Sequence, residues 1–392
     1  MKQQTQTKKL NEIFEVAKGK KVNIIEHKTK NSIPYLLIDT LRGKEPEFFT
    51  EDKKYTVAEE KDILMVFDGA NSGLVGTGLR GAVGSTIARL RLKKDMNTKY
   101  ITYFLSFNFS NLNQDIKGSA IPHIKPKKLL ELNIRYPSLD EQLSIVQAIE
   151  TQFTRLDASV KALKSVQKKL EIYRKAVLKK AFEKKKDWIE KPLKNLVENI
   201  SSGYACGRHV KSGEGLIHFR PYNITSDGGI SYDLIKTVDP KFSNKRLSYG
   251  DIVFNNTNSQ IWVGKTCAYD RKEEVGFSNH MTKIKVNKEL LDFKYLAKYL
   301  HFLFQKGFYH RIMKNHVNQS SVNIENLEII NIGFPSLSEQ SIIVQSIESK
   351  FSVIDKVEQV VEASLEKAER LRKAILKSAF EGKLVKMEEV TK

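Results

Sequence analysis

Along residues 156–177, steps of three and four alternate between Leu156, Ser159, Leu163, Val166, Leu170, Tyr173 and Val177, a period of 3.5. Such a stripe predicts a helix with a narrow apolar seam that needs a facing helix, because an isolated rod would leave the seam wet. The same steps recur near the end of the chain at Ile354, Val357, Val361, Ser364, Ala368, Leu371 and Ile375. Neither Gly nor Pro interrupts Ser138–Lys191 or Ser336–Glu381, so two long helices are expected. Ser138 with Glu141, and Ser336 with Glu339, have the spacing of a capping box, and Gly382 supplies a stop for the second helix. The regions before the helices read differently, with strand-like runs such as Ile63–Phe67 separated by turns rich in Gly, Asn and Ser.

The two helical segments are copies. At an offset of 198, positions 136–183 and 334–381 share 22 of 48 residues, among them Pro137/Pro335, Glu141/Glu339, Gln142/Gln340, Phe153/Phe351 and Asp157/Asp355. Both close alike, on YRKAVLKKAFE (173–183) and LRKAILKSAFE (371–381). Two stripes in one register favour mutual, antiparallel pairing of the helices over separate packing of each on its neighbouring domain.

The intervening regions share an outline and little identity. EEKDILMVFDGANSGLVG (59–76) parallels SYGDIVFNNTNSQIWVGK (248–265), IPYLLIDTLRG (33–43) sits like IHFRPYNITSDGG (217–229), and TKYITYFLSF (98–107) parallels FKYLAKYLHF (293–302), the last pair amphipathic enough to be helices. The expected organisation is α+β: a mixed domain over 1–136, a spacer helix over 137–187, a second mixed domain over 188–334 and a second spacer helix over 335–392.

At 392 residues the chain exceeds what a single hydrophobic core fills. Its 66 Lys+Arg against 46 Asp+Glu leave a net charge of +20, which attracts polyanions and makes nucleic acid the leading partner. No apolar run approaches the length of a membrane span and the N-terminus lacks a signal peptide's apolar stretch, so a cytoplasmic protein without membrane association is expected. The two cysteines, Cys206 and Cys267, indicate neither a disulfide framework nor a zinc site, and the eight histidines show no ligand pair.

Enzymatic motifs fail on context. GTGLRG (76–81) has the glycine spacing of a dinucleotide-binding turn, yet strand-like residues follow it where a helix is required. VGKT (263–266) lacks the first glycine of a phosphate-binding loop, since Ser259 stands there. No D/N-P-P-Y/F tetrapeptide for holding a flipped adenine occurs, so such chemistry would have to come from a partner.

The helical copies, opening on P-x-x-E-Q and closing on R-K-A-x-L-x-x-A-F (Arg174–Phe182 and Arg372–Phe380), resemble the spacer regions of the DNA specificity subunits of type I restriction-modification enzymes. The resemblance covers the whole chain in order and length, in sequence for the helices and in outline for the domains. It implies two target recognition domains, each reading one half of an asymmetric bipartite sequence in double-stranded DNA, and two spacer helices paired as an antiparallel coiled coil. It further implies a subunit without catalysis of its own, docking two DNA adenine methyltransferase subunits, with restriction subunits in the full complex. S-adenosylmethionine and ATP would belong to those partners, and this chain would hold no cofactor and no metal. A seam from Leu156 to Phe182 would span roughly 40 Å, close to one turn of B-DNA, leaving roughly six to eight unspecified base pairs between the half-sites. The competing reading is a two-domain protein-interaction scaffold whose positive charge is incidental; salt-sensitive duplex binding separates the two.

Bases are read best by Arg, Asn and Gln, whose side chains offer paired hydrogen bonds to base edges. In the first domain the turns offer Arg42, Lys44, Asn71, Ser72, Arg80, Lys117 and His123. The second domain offers Arg220, Tyr222, Asn223, Asn255, Asn256, Asn258, Gln260, Lys314, Asn318 and Gln319. Each competes with a purely structural role as a turn-capping side chain.

Overall fold

The computed structural model describes residues 6–108, 123–183, 187–206, 209–211, 214–242 and 245–385. Its contacts divide the chain into two compact units: residues 1–163 with 363–392, and residues 164–362. Each unit therefore holds one mixed domain together with a segment of each long helix, so the helices are not bodies separate from the domains.

In the first unit, a four-stranded antiparallel sheet has the order Phe14–Lys18, Ile87–Leu92, Ile63–Val66, Val75–Thr77. All four residues of Ile63–Val66 are buried, which is why that run is continuously apolar rather than alternating. A second sheet runs Phe49–Thr50, Ile33–Leu36, Gly81–Val83, Val57–Ala58, with one parallel pairing, between Ile33–Leu36 and Gly81–Val83. The helix Thr98–Phe107 turns Tyr100, Ile101, Phe104 and Leu105 into the core and is capped by Asn97, whose side chain accepts the Tyr100 amide.

The second unit repeats this plan. Its antiparallel sheet has the order Val197–Ser202, Met281–Val286, Asp251–Asn255, Thr266–Tyr269. The second sheet again pairs one central couple in parallel, Leu216–Phe219 with Val275–Phe277. The helix Phe293–Gln305 is capped by Asp292 as its counterpart is by Asn97. All three sequence parallels between the domains fall on matching elements. The second domain also holds a three-stranded ribbon of Thr257–Asn258, Ser320–Ser321 and Lys314–Asn315. GTGLRG runs from the end of the strand Val75–Thr77 to the start of Gly81–Val83 and opens no helix, as its context predicts.

The long helices span Leu139–Ala181 and Leu337–Phe380. In each, the serine hydroxyl accepts the glutamate amide at 3.3 Å, Ser138 from Glu141 and Ser336 from Glu339, the forward half of the capping box. Gly382 follows the second helix at φ +73°, a conformation that favours glycine. The first helix stops short of 187: the Gly- and Pro-free run continues into a strand, Ile189–Pro192, which pairs with Asn331–Phe334.

The glutamine of each P-x-x-E-Q phrase has a defined task. Gln142 is buried, donates to the Pro137 carbonyl at 2.9 Å and accepts the Asn97 amide at 2.9 Å. Gln340 donates to the Leu290 and Pro335 carbonyls and accepts the Asp292 amide, each at 2.9 Å. Each glutamine thereby joins the start of a spacer helix to the N-cap of its domain helix. Replacing Gln340 with Leu strands those backbone groups in a buried site and is expected to cost about 2 kcal/mol, measurable as a lowered urea midpoint; an unchanged midpoint would contradict the assignment.

Within each unit the two helix segments run antiparallel. In the first, Leu156 packs with Ala368 and Ile375, and Asp157 pairs with Arg372. In the second, Val177, Leu178 and Phe182 share a core with Val344 and Ile347, and Arg174 pairs with Asp355. The helix ends also enter the domain cores, so both expected modes of packing occur. Leu156, Val177, Ile354, Val361 and Ile375 are buried, and Leu163, Val166 and Leu170 are half-buried.

Three seam assignments are corrected. Tyr173 is 50% exposed, Leu371 48% and Val357 37%. Arg174 and Arg372 face the opposite helix segment in place of Tyr173 and Leu371, Glu358 reaches across to Arg174, and Val160 is half-buried where Ser159 is exposed. The cause is phase: a 3.5 period can take its four-residue step first or second, and these stretches run 156, 160, 163 and 170, 174, 177. At 174 and 372 an ion-paired arginine fills a position that apolarity alone would have denied it.

Candidate nucleic-acid interface

In the second unit, five stretches of the chain surround an open groove of about 1130 Å³. It gathers Arg220, Tyr222, Asn258, Asn318 and Gln319 from the sequence candidates. It adds Thr257, Trp262, Asn279 and His280, which are not among those candidates. Trp262 and its neighbour Ile261 are 39% and 64% exposed. Two large apolar residues inside the polar stretch NSQIW were the available signal, because an aromatic in an exposed turn offers a stacking or methyl contact. Gln260 is exposed in the same turn, and Lys314 is exposed on the three-stranded ribbon.

The segment carrying Arg220 and Tyr222 is held from beneath. Lys265 is buried, donates to the Pro221 carbonyl at 3.0 Å and also to the Ile224 carbonyl. Burial pushes the pKa of its ammonium below the usual value. The lysine of the VGKT stretch thus braces a loop, and Gly264 before it packs where any Cβ would meet the Tyr309 ring at 2.2 Å. The Arg220 guanidinium lies 3.1 Å from His209 Nε2 and remains at the groove.

Three asparagine candidates in this domain are structural. Asn223 donates to the Ser231 and Leu234 carbonyls at 2.9 Å, Asn255 to the Trp262 carbonyl at 2.8 Å, and Asn256 to the Asn279 carbonyl and the Thr282 hydroxyl. All three are buried, so their amides shape turns rather than face a ligand. Ser72 in the first domain is likewise buried, inside the tight turn that its amide closes on the Gly69 carbonyl.

In the first unit the candidates form two groups. Arg42 donates to Asn71 Oδ1 at 2.6 Å, and both border a cavity of about 390 Å³ between the 38–48 loop and the 71 turn. Asp39 is shared by Lys44 at 2.9 Å and Arg42 at 3.7 Å, and Lys44 holds its carboxyl below the usual range. His123 Nδ1 lies 2.7 Å from Asp68, which also pairs with Lys18 at 2.7 Å. Burial would raise the Asp68 pKa, but these two contacts keep it low. Arg80 is exposed and pairs with Glu59 at 3.3 Å. Lys117 lies outside the described residues.

Among the described residues no group of His, Cys, Asp and Glu could hold a metal ion, and no helix is long and apolar enough to cross a membrane. What the site offers is exposed Arg, Asn, Gln and aromatic side chains on braced loops, a chemistry of recognition.

Comparison with known proteins gives the family. The family model for the type I restriction modification DNA specificity domain matches twice, over residues 2–172 and 185–367. The chain is 26% identical to the type I restriction enzyme MjaVIII specificity subunit of Methanocaldococcus jannaschii, over 96% of this chain and 92% of that protein. It is 24% identical to the StySPI specificity subunit of Salmonella potsdam, over 83% and 75%. In fold, it is similar to a chain from a solved type I R-M system, with TM-score 0.77 at 15% identity over 96% of this chain and 98% of that one. The HsdS subunit from Thermoanaerobacter tengcongensis gives 0.53 at 17% identity, over 96% and 97%. With both halves of the chain matched by one model and with its strand plan repeated in the two domains, the chain belongs to the type I restriction modification DNA specificity family.

Proposed function

We propose that this chain is the non-catalytic DNA-reading subunit of a type I restriction-modification system, in which each domain reads one half of an asymmetric bipartite target. The observation that carries this is one strand plan used twice with different residues at its turns: Arg42 and Asn71 in one domain, Arg220, Tyr222, Asn258, Asn318 and Gln319 in the other. Two readers with different surfaces read different sequences, so the target is not palindromic.

The paired helices set the spacing and dock two DNA adenine methyltransferase subunits, with restriction subunits joining the full complex in the cytoplasm. S-adenosylmethionine and ATP belong to those partners. Exposed lysines and arginines supply salt-sensitive phosphate affinity, and the groove residues supply discrimination.

Fluorescence anisotropy on duplex DNA tests this. The wild type is expected to lose affinity steeply with rising salt. Arg220→Ala is expected to weaken binding of the cognate duplex roughly 10- to 100-fold while leaving non-specific binding nearly intact. An absence of salt-sensitive duplex binding would instead favour the protein-interaction scaffold.

A further inference from the structure

The repeat places Arg174 and Arg372 at equivalent positions, each beside a phenylalanine ring, 5.0 Å from Phe351 and 4.3 Å from Phe153. Each also pairs with an aspartate, Asp355 and Asp157 respectively. There the likeness ends. The Arg372 side chain is 35% exposed, whereas that of Arg174 is 8% exposed and engages two further carboxylates, Glu358 at 2.7 Å and Asp227 at 3.3 Å. The first unit has Val160 at the position corresponding to Glu358.

Asp227 is not on a helix. It sits in the turn bounded by the Ile224–Ile230 bridge, two residues beyond Thr225 and one beyond Ser226, both of which line the groove. The Thr225 hydroxyl donates to Asp227 at 2.5 Å and accepts the Gly229 amide at 2.7 Å. Gly228, at φ +84°, leaves no room for a Cβ, which would stand 2.9 Å from the His301 ring. The segment presenting Arg220, Tyr222 and Thr225 is thus held by Lys265 at one end and by the central helix, through Arg174, at the other. In the first domain the corresponding loop closes on itself, since Asp39 takes its cations from Arg42 and Lys44 of the same loop.

We propose that the Arg174–Asp227 ion pair is a positioning contact through which the central helix sets the second domain's reading loop, so that discrimination at one half-site depends on it and discrimination at the other does not. This rests on the bipartite reading above. Asp227 touches no DNA in this role; it acts through Thr225 and the backbone it holds.

The test uses the full complex with its methyltransferase subunits and a set of duplexes carrying single-base changes in either half-site. Asp227→Asn is expected to lower the ratio of cognate to near-cognate methylation about tenfold at one half-site only. Asp227→Glu, which keeps the carboxylate, is expected to restore it. Glu358→Gln, which removes another partner of Arg174 but keeps the Arg174–Asp227 pair, is expected to leave both ratios unchanged. Because both half-sites are read by the same molecules, partial unfolding of a variant lowers total activity and not one ratio alone. Equal loss at both half-sites, or no loss at either, overturns the proposal while leaving the bipartite reading intact. A wild-type complex that discriminates at neither half overturns both.

Discussion

Phe182→Ala is expected to destabilise the second unit by about 3–5 kcal/mol, the range for removing a large buried aromatic. Phe182 closes the R-K-A-x-L-x-x-A-F phrase of the central helix and is 5% exposed. Its ring meets Tyr295 at 5.4 Å, Tyr299 at 5.2 Å and Phe302 at 5.6 Å, all on the domain helix Phe293–Gln305. One side chain therefore anchors spacer to domain, and its loss opens a cavity that three rings on one rigid helix cannot collapse to fill. The repeat predicts a matching effect in the first unit, where Phe380 meets Tyr100, Phe104 and Phe107 at 5.3–5.8 Å. Urea denaturation read by tyrosine and tryptophan fluorescence measures the change. Phe182→Leu should cost clearly less, and an alanine variant within 1 kcal/mol of wild type would show that the helix end is not anchored there.

Mild acid is expected to destabilise the second unit through two buried histidines. His218 and His301 are 1% and 2% exposed, and burial lowers the pKa of each from the ordinary 6.5 to about 4. For His218 the nearby Arg220 and His209 add to this; for His301, Asp227 opposes it while Lys265 and Lys298 add to it. With the folded value below the unfolded one, the unfolded chain binds the proton first. Their contribution is complete above pH 6.5 and is lost as pH falls toward 4, by about 3 kcal/mol for each histidine. Urea midpoints followed from pH 7 to 4.5 should therefore fall. The His218→Gln, His301→Gln double variant should flatten that acid limb; an equally steep limb in the variant would place its origin in other groups.

The helices were readable because a repeated, Gly- and Pro-free 3.5-period phrase leaves little else for the chain to form. Its phase is harder to read, since Arg174 is buried and Arg372 half-buried only by virtue of partners up to 215 residues away, and a rule based on apolarity passes over them in favour of Tyr173 and Leu371. The strand plan showed only at Ile63–Val66, Asp251–Asn255 and a few neighbours, because two-residue strands such as Phe49–Thr50 carry no period. Site candidates fared worst where type alone was used. Asn223, Asn255 and Asn256 have the amide that reads adenine, but the same amide satisfies a turn's carbonyls, and only the fold reveals which task it performs. The groove joins Tyr222, Trp262, His280 and Asn318 across almost a hundred residues of sequence, a proximity that local pattern does not record.

The most direct measurement is a genome-wide map of methylated adenines after co-expression of this chain with the DNA adenine methyltransferase subunits proposed as its partners. Two unlike half-sites separated by a constant gap of roughly six to eight unspecified base pairs are the predicted result. A single uninterrupted target, a palindrome, or half-sites at a variable distance would contradict a pair of different readers held at a fixed spacing by one pair of helices.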